Sequence, residues 1–144
     1  MLPGDVYVED SFGKIDAGTL MGAILATSIY SRFGNGVVFN GSARNLESIG
    51  KIKGFNAFVR DFHPSFLEEE VLMGLNTPIR IGRVMVLPGD LVLAKMEGIL
   101  FIPAHLAEQV VGTAEFGRLW FPNGKFQTTY HGRDRQPVDG QGQG

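Results

Sequence analysis

The sequence predicts a mixed α/β domain, and three observations carry that prediction. Short apolar runs of strand length recur along the chain, three segments read as helices, and 20 Gly with 7 Pro punctuate the intervals. At 144 residues the chain has the length of one ordinary domain, able to bury about 68% of the surface its unfolded form exposes. A hydrophobic fraction of 44% against 19% charged residues supplies the core such a domain needs.

Taken in order, VYVED after Leu2-Pro3-Gly4-Asp5 alternates apolar and acidic residues at a period of two, which predicts a strand. A loop follows over 13–19. From Leu20 to Arg32, the placing of Leu20, Ile24, Leu25 and Ile29 gives helical spacing, and Gly34 and Gly36 supply stop signals. GVVF, ending at Phe39, predicts a buried strand. Asn40-Gly41 then predicts a turn into a short helix, NLESIGKI, beginning near Ser42 or Asn45. NAFV and IRIGRVMV are the next apolar pieces. Pro88-Gly89-Asp90 marks a turn, and LVLAK with GILFIP predicts a two-strand hairpin around Glu97-Gly98. Pro103 opens a last helix, AHLAEQVVGTAEF. The domain is expected over 1–121, with a polar, glycine-rich tail at 122–144 whose last ten or so residues are expected to be disordered.

LPGDV at Leu2 and LPGDL at Leu87 are nearly identical. The match does not extend beyond five residues, so it reads as one local solution to entering a strand, used twice.

Charge and composition exclude several classes. With 13 Lys plus Arg against 15 Asp plus Glu, the net charge of -2 gives no basic face for direct nucleic-acid binding. No apolar stretch reaches the roughly 20 residues that span a bilayer, and MLPGDVYVED has neither a basic nor an apolar leader segment. The absence of cysteine removes disulfides, thiolate metal sites and cysteine nucleophiles, and a cytoplasmic location is the expectation. His63, His105 and His131 are scattered without metal-ligand spacing, and Glu68-Glu69-Glu70 reads as a solvated face. Asp10 and Asp16 read as exposed loop acids, although both flank a loop that could approach a site.

PGDLVLAKMEGILFIP, together with the run between Gly22 and Glu47 that contains GVVFNGSARNLE, resembles the family of the regulator of ribonuclease E activity A and the 4-hydroxy-4-methyl-2-oxoglutarate aldolases. The resemblance covers about Gly4 to Val111. It implies a layered β/β/α swivelling-type fold, assembly as a homotrimer or hexamer, and, among the aldolases, Mg- or Mn-dependent cleavage of 2-oxo acids to pyruvate. The family pattern is an Asp, twenty intervening residues, Arg-Asp, and an acidic residue two positions later. This chain offers Ala23, Arg44, Asn45 and Glu47, so two of the expected carboxylates are missing.

Those losses bear on the chemistry. Mg and Mn favour carboxylate oxygens and water, and a Lewis acid is what stabilises an enolate left by carbon–carbon cleavage. Asn45 and Glu47 are therefore a weakened metal set. Arg44 keeps a rigid guanidinium fork suited to a planar carboxylate. By the resemblance, the pocket for a small 2-oxo acid comprises Arg44, Gly22 and the helix-start amides of Ile24 and Leu25. The plainer reading is that Arg44 pairs with Glu47 or bonds a neighbouring carbonyl.

Two classes of function follow: a binding or regulatory protein with an anion pocket and a protein partner, or, alternatively, a divalent-metal lyase acting on 4-hydroxy-2-oxo acids or oxaloacetate. No glycine-rich nucleotide loop follows a first strand, which speaks against a methyltransferase. Lys95 stands where the family commonly has an acid. Relatives carry several dozen residues before the first strand, so an exposed sheet edge is expected here, with self-association as its remedy. Phe116, Trp120, Phe121 and Phe126 are candidates for that contact or for the chain's own core.

Overall fold

Val37 to Ala43 is buried along its whole length because it is the middle strand of a parallel sheet, covered on both sides by neighbours. This computed structural model describes residues 2–120 except residue 69, with the side chains of residues 117–120 left aside. The sheet has the order β1-β2-β3, formed by Tyr7–Asp10, Val37–Ala43 and Ala57–Phe62. Parallel neighbours require crossovers, and these are helices α1 (Ala23–Phe33) and α2 (Leu46–Gly50). Two antiparallel hairpins follow: β4–β5 (Ile79–Ile81, Val84–Val86) and β6–β7 (Leu91–Lys95, Gly98–Ile102). A 3-10 turn at Ala104–Leu106 leads into α3 (Ala107–Trp120). One compact unit runs from Met1 to Ala107, and a second begins at Glu108.

The core lies between the parallel sheet and its helices. Met21, Ala26, Ile29, Val37, Phe39, Ala43 and Ile49 are buried together, with Leu25, Phe33 and Val59 packed against them. On α1 the contributing residues sit three and four apart, as one face of a helix must. The helix ends as its glycine suggests: Gly34 adopts φ 74 and donates its N–H to the Tyr30 carbonyl at 2.9 Å.

Two expectations require correction. The helix expected over Leu20 to Arg32 starts three residues later, at Ala23, because Met21 pairs with Ala43 as a sheet extension. Asn40-Gly41 is no turn. Strand β2 runs through it with a register shift between Phe39 and Ser42, so the next helix begins at Leu46, capped by Asn45, the later of the two expected starts and not the one near Ser42. An Asn-Gly hairpin turn needs positive φ at both residues, and neither has it. Asn40 is instead held in the strand: its Nδ2 donates to Asp10 Oδ1 at 2.6 Å, and Arg60 Nε donates to its Oδ1 at 2.5 Å.

The LPGD repeat proves to be one turn built twice. Gly4 and Gly89 take φ 96 and 93, and each Asp N–H donates to the Leu carbonyl three residues back. Each Asp carboxylate also accepts from that leucine's N–H, at 2.5 Å for Leu2 and 2.9 Å for Leu87.

The hairpins contrast with the buried sheet. Val84, Met85, Leu91, Leu93 and Leu100 are all exposed, which leaves apolar strand faces open to solvent. Lys95 is exposed at the end of β6. No helix among the described residues is long and apolar enough to cross a membrane. The expected tail at 122–144 lies outside the described residues, as do Phe121, Phe126 and His131. Phe116 is exposed on α3.

Candidate functional site

Gly22 and Arg44 become neighbours through the sheet. Strand β2 continues past its last regular pair by bridging Ala43 to Met21, and Arg44 N–H donates to the Met21 carbonyl at 2.9 Å. This sets Arg44 and Asn45 beside Gly22, the residue that caps α1. A Cβ on Gly22 would sit 3.0 Å from Asn45 Oδ1 and 3.1 Å from Arg44 Nε, so any side chain there would press on both groups. Gly22 has an extended conformation (φ -134, ψ -174), and its requirement is therefore the close approach and not a special dihedral.

The amides of Ile24 and Leu25 precede the first intrahelical bond of α1, from Ala26 N–H to the Gly22 carbonyl at 3.0 Å. No side chain caps this helix end. Ile24 is itself 89% exposed, so the start of α1 opens to solvent. A shallow cavity of about 400 Å³ lies along it, lined by Ala23, Ile24, Thr27 and Ser28.

Arg44 is half-buried, with one guanidinium nitrogen, Nη1, donating to the Thr19 carbonyl at 2.5 Å. This is the neighbouring-carbonyl bond of the plainer reading. The pairing with Glu47 does not occur: Glu47 is exposed and accepts from Lys51 Nζ at 2.7 Å across one helical turn. Among the described residues no carboxylate pairs with Arg44. Its guanidinium instead lies beneath the ring of Phe66, with Cζ 5.5 Å from the ring centroid.

Asn45 adopts φ 61, ψ 42 at the start of α2. Left-handed backbone explains the residue class at this position, since Asn and Asp alone among the larger side chains visit it routinely.

This residue set offers a divalent cation one carboxylate at most: Ala23 contributes no ligand, Asn45 contributes a neutral carbonyl, and Glu47 is exposed and paired with Lys51. Among the described residues no group of three or more His, Asp or Glu is arranged to hold a metal.

Several groups near Arg44 gave no sign in the sequence. Thr19 Oγ1 hydrogen-bonds Ser42 Oγ at 2.7 Å and Ser65 Oγ at 2.9 Å, and Ser42 Oγ also donates to the Ile15 carbonyl at 2.5 Å. The residues are 23 and 46 positions apart, so no spacing rule connects them. His63 sits at the entry to the same segment, donating its N–H to the Ala43 carbonyl at 2.9 Å and accepting the Ser65 N–H on Nδ1 at 3.2 Å. Asp16 is exposed, 3.6 Å from the same His63 nitrogen.

A second polar cluster corrects the reading of the glutamate run. Glu68 is exposed, but Glu70 is half-buried and accepts from Ser11 Oγ at 2.9 Å, while its other oxygen is enclosed without a partner among the described residues. Glu9 lies on the same hydroxyl at 3.5 Å and accepts from Tyr7 OH at 2.7 Å. Burial, and to a lesser degree the nearby Glu70 and Asp10 charges, push the Glu9 carboxyl above its ordinary value, against the opposing hydrogen bonds from Tyr7 and Ser11. Burial and the bond to Glu9 likewise push the Tyr7 phenol up. Asp10, also half-buried, accepts from Phe12 N–H at 2.8 Å as well as from Asn40, so it is no exposed loop acid.

A family model described as RraA-like, Aldolase/RraA, matches residues 1–101, which is most of the chain. The chain belongs to the Aldolase/RraA family. Its mixed α/β fold agrees with solved structures of that family. One is Streptomyces coelicolor RraAS2, described as an unusual member of the RNase ES inhibitor RraA protein family, with 26% identity and a TM-score of 0.77 over 85% of this chain and 62% of that one. Another is the RNA-processing inhibitor RraA from Thermus thermophilis, with 27% identity and a TM-score of 0.60 over 71% of this chain and 61% of that one. An uncharacterized protein from Pseudomonas syringae pv. tomato str. DC3000 is similar at 25% identity and a TM-score of 0.75, over 83% and 59% of the two chains. The Aldolase/RraA chain described here thus spans about three fifths of the length of these structures.

Proposed function

We propose that this member of the Aldolase/RraA family is a binding protein whose Arg44 pocket takes the carboxylate of a small 2-oxo acid, without metal-dependent turnover. The observation that carries this reading is the state of Arg44. Its guanidinium is fixed by a carbonyl and an aromatic ring, it has no carboxylate partner among the described residues, and it lies against the open start of a helix. A guanidinium has five N–H donors, and the Thr19 carbonyl takes one direction of the fork, leaving donors for a planar anion. The helix-start amides of Ile24 and Leu25 add a positive end nearby.

Carbon–carbon cleavage needs a group that stabilises the enolate. Ala23, Asn45 and the Lys51-paired Glu47 do not supply one, which favours binding over the lyase reading. The names carried by two solved relatives, both described in terms of RNA-processing or RNase inhibition, support a role exercised on a protein partner. The exposed apolar faces of the two hairpins support self-association or partner contact as part of that role.

Calorimetric titration with pyruvate, with and without Mg or Mn, tests the reading. Saturable binding that needs no metal, weakened at least about tenfold in Arg44→Gln, is the expected outcome, since losing a charge-assisted pair costs about 1.5–3 kcal/mol. Metal-dependent release of pyruvate from oxaloacetate or 4-hydroxy-4-methyl-2-oxoglutarate, abolished in Arg44→Gln, would replace it with the lyase reading.

A further inference from the structure

We propose that Phe66 is the specificity-determining residue of the Arg44 pocket, and that it selects 2-oxo monocarboxylates with an aliphatic side chain over dicarboxylates. The inference rests on the anion-binding reading of Arg44 given above.

Phe66 is 64% exposed, so much of its ring stays accessible beside Arg44. Its position is nevertheless fixed by the segment that carries it. His63 N–H is tied to the Ala43 carbonyl, and Ser65, the residue before Phe66, accepts the Ala17 N–H at 3.0 Å and bonds Thr19 Oγ1 at 2.9 Å. Thr19 is the hub: its hydroxyl holds Ser65 while its carbonyl holds the Arg44 guanidinium. One residue thereby anchors both the segment that carries the ring and the cation, whose Cζ lies 5.5 Å from the ring centroid.

The ring takes no N–H donor from the cation and the Thr19 carbonyl takes only Nη1, so the guanidinium keeps donors for an anion. A carboxylate bound at those donors must then carry the rest of its molecule past an apolar ring. The cavity that begins at Ala23, next to the glycine against which Arg44 lies, offers the same chemistry. Its lining residues Ala23, Ile24, Thr27 and Ser28 bring no charge, and the Thr27 hydroxyl is already donated to the Ala23 carbonyl at 2.8 Å. Lys51, just after α2, pairs with Glu47, and Arg60 donates to Asn40. Neither the Phe66 ring nor the Ala23, Ile24, Thr27 and Ser28 lining carries a cation, so a second ligand carboxylate placed on either would lose hydration without replacement. An aliphatic substituent loses nothing there and gains burial.

Dissociation constants for pyruvate, 2-oxobutanoate, 4-methyl-2-oxopentanoate and 2-oxoglutarate should be measured by calorimetry in the wild-type chain, Phe66→Ala, Phe66→Leu and Arg44→Gln. Phe66 is exposed, so its variants keep the fold, which the far-UV spectrum and melting temperature verify. In the wild type, 4-methyl-2-oxopentanoate is expected to bind about tenfold tighter than pyruvate, a fraction of what full burial of its extra carbons would give, and 2-oxoglutarate weaker than 2-oxobutanoate. Phe66→Ala should reduce the tenfold preference to about twofold or less, and Phe66→Leu should keep most of it. Equal affinities across the series, or a preference that survives Phe66→Ala, would overturn the role of Phe66 while Arg44-dependent pyruvate binding kept the pocket. Loss of all binding, or binding indifferent to Arg44→Gln, would overturn both.

Discussion

At the scale of single residues, the proposed pocket sets Arg44, which carries the charge an anion would need, beside Asn45, which carries none. Asn45 has φ 61, a conformation Asp shares with Asn, and Ala23 opens α1, whose first turn holds no acid. Aspartate fits both positions, and at Ala23 it also favours the positive helix end. The double variant Ala23→Asp, Asn45→Asp is therefore expected to fold normally and to bind Mn at least about tenfold tighter than the wild type, read from free-Mn resonance in a titration. An unchanged Mn affinity would mean that positions 23 and 45 do not share a site. Arg44, Gly22 and the missing carboxylates were legible through the family resemblance of the stretch from Gly22 to Glu47. Thr19, Ser42, Ser65 and Phe66 were invisible, since hydroxyls and a lone aromatic signal nothing until the sheet and the 63–66 segment bring them together.

At the scale of elements, two glycines that look alike in the sequence do different work. Gly34 and Gly36 both read as stop signals for α1, and only Gly34 is one. A Cβ on Gly36 would collide with the backbone carbonyl of Asn56, whose oxygen also accepts the Val37 N–H at 2.8 Å where β2 and β3 begin to pair. Backbone cannot rotate away as a side chain can. Gly36→Ala is expected to cost at least about 2–3 kcal/mol by forcing the strands apart. Gly34→Ala, with open space around it and only the φ 74 conformation to strain, is expected to cost about 1–2 kcal/mol. Urea denaturation of the two variants orders them, and a Gly36→Ala midpoint equal to the Gly34→Ala midpoint would contradict the close approach. Strand and helix types were legible from periodicity throughout this region. Their limits were not, because the β2 register shift and the Met21 to Ala43 bridge depend on partners distant in the chain.

At the scale of the whole molecule, stability is linked to pH through the acids gathered behind β1. Glu9, facing Tyr7, Ser11, Asp10 and Glu70, has its carboxyl held above the ordinary 4.5 chiefly by burial. A carboxyl raised in this way keeps its proton in the folded chain after the unfolded chain has released it. The folded state then binds more protons than the unfolded one, and the slope of stability with pH is negative. This contribution is absent below about pH 4.5 and becomes increasingly unfavourable as pH rises from there through the folded value. Glu9→Gln keeps an acceptor for the Tyr7 hydroxyl and removes the charge that faces Glu70. The urea midpoint of that variant is expected to exceed the wild type by about 0.5 M at pH 8, with the gap closing toward pH 4. Parallel midpoint curves for the two proteins across that range would place the linkage elsewhere. The run Glu68-Glu69-Glu70 could not reveal this in sequence, since its last member is drawn inward only by the Ser11 hydroxyl, 59 residues away. Glu70, four residues after Phe66, thus stands beside Glu9 on one Ser11 hydroxyl, so loosening the acid pair and loosening the proposed ligand pocket are expected to go together as pH rises.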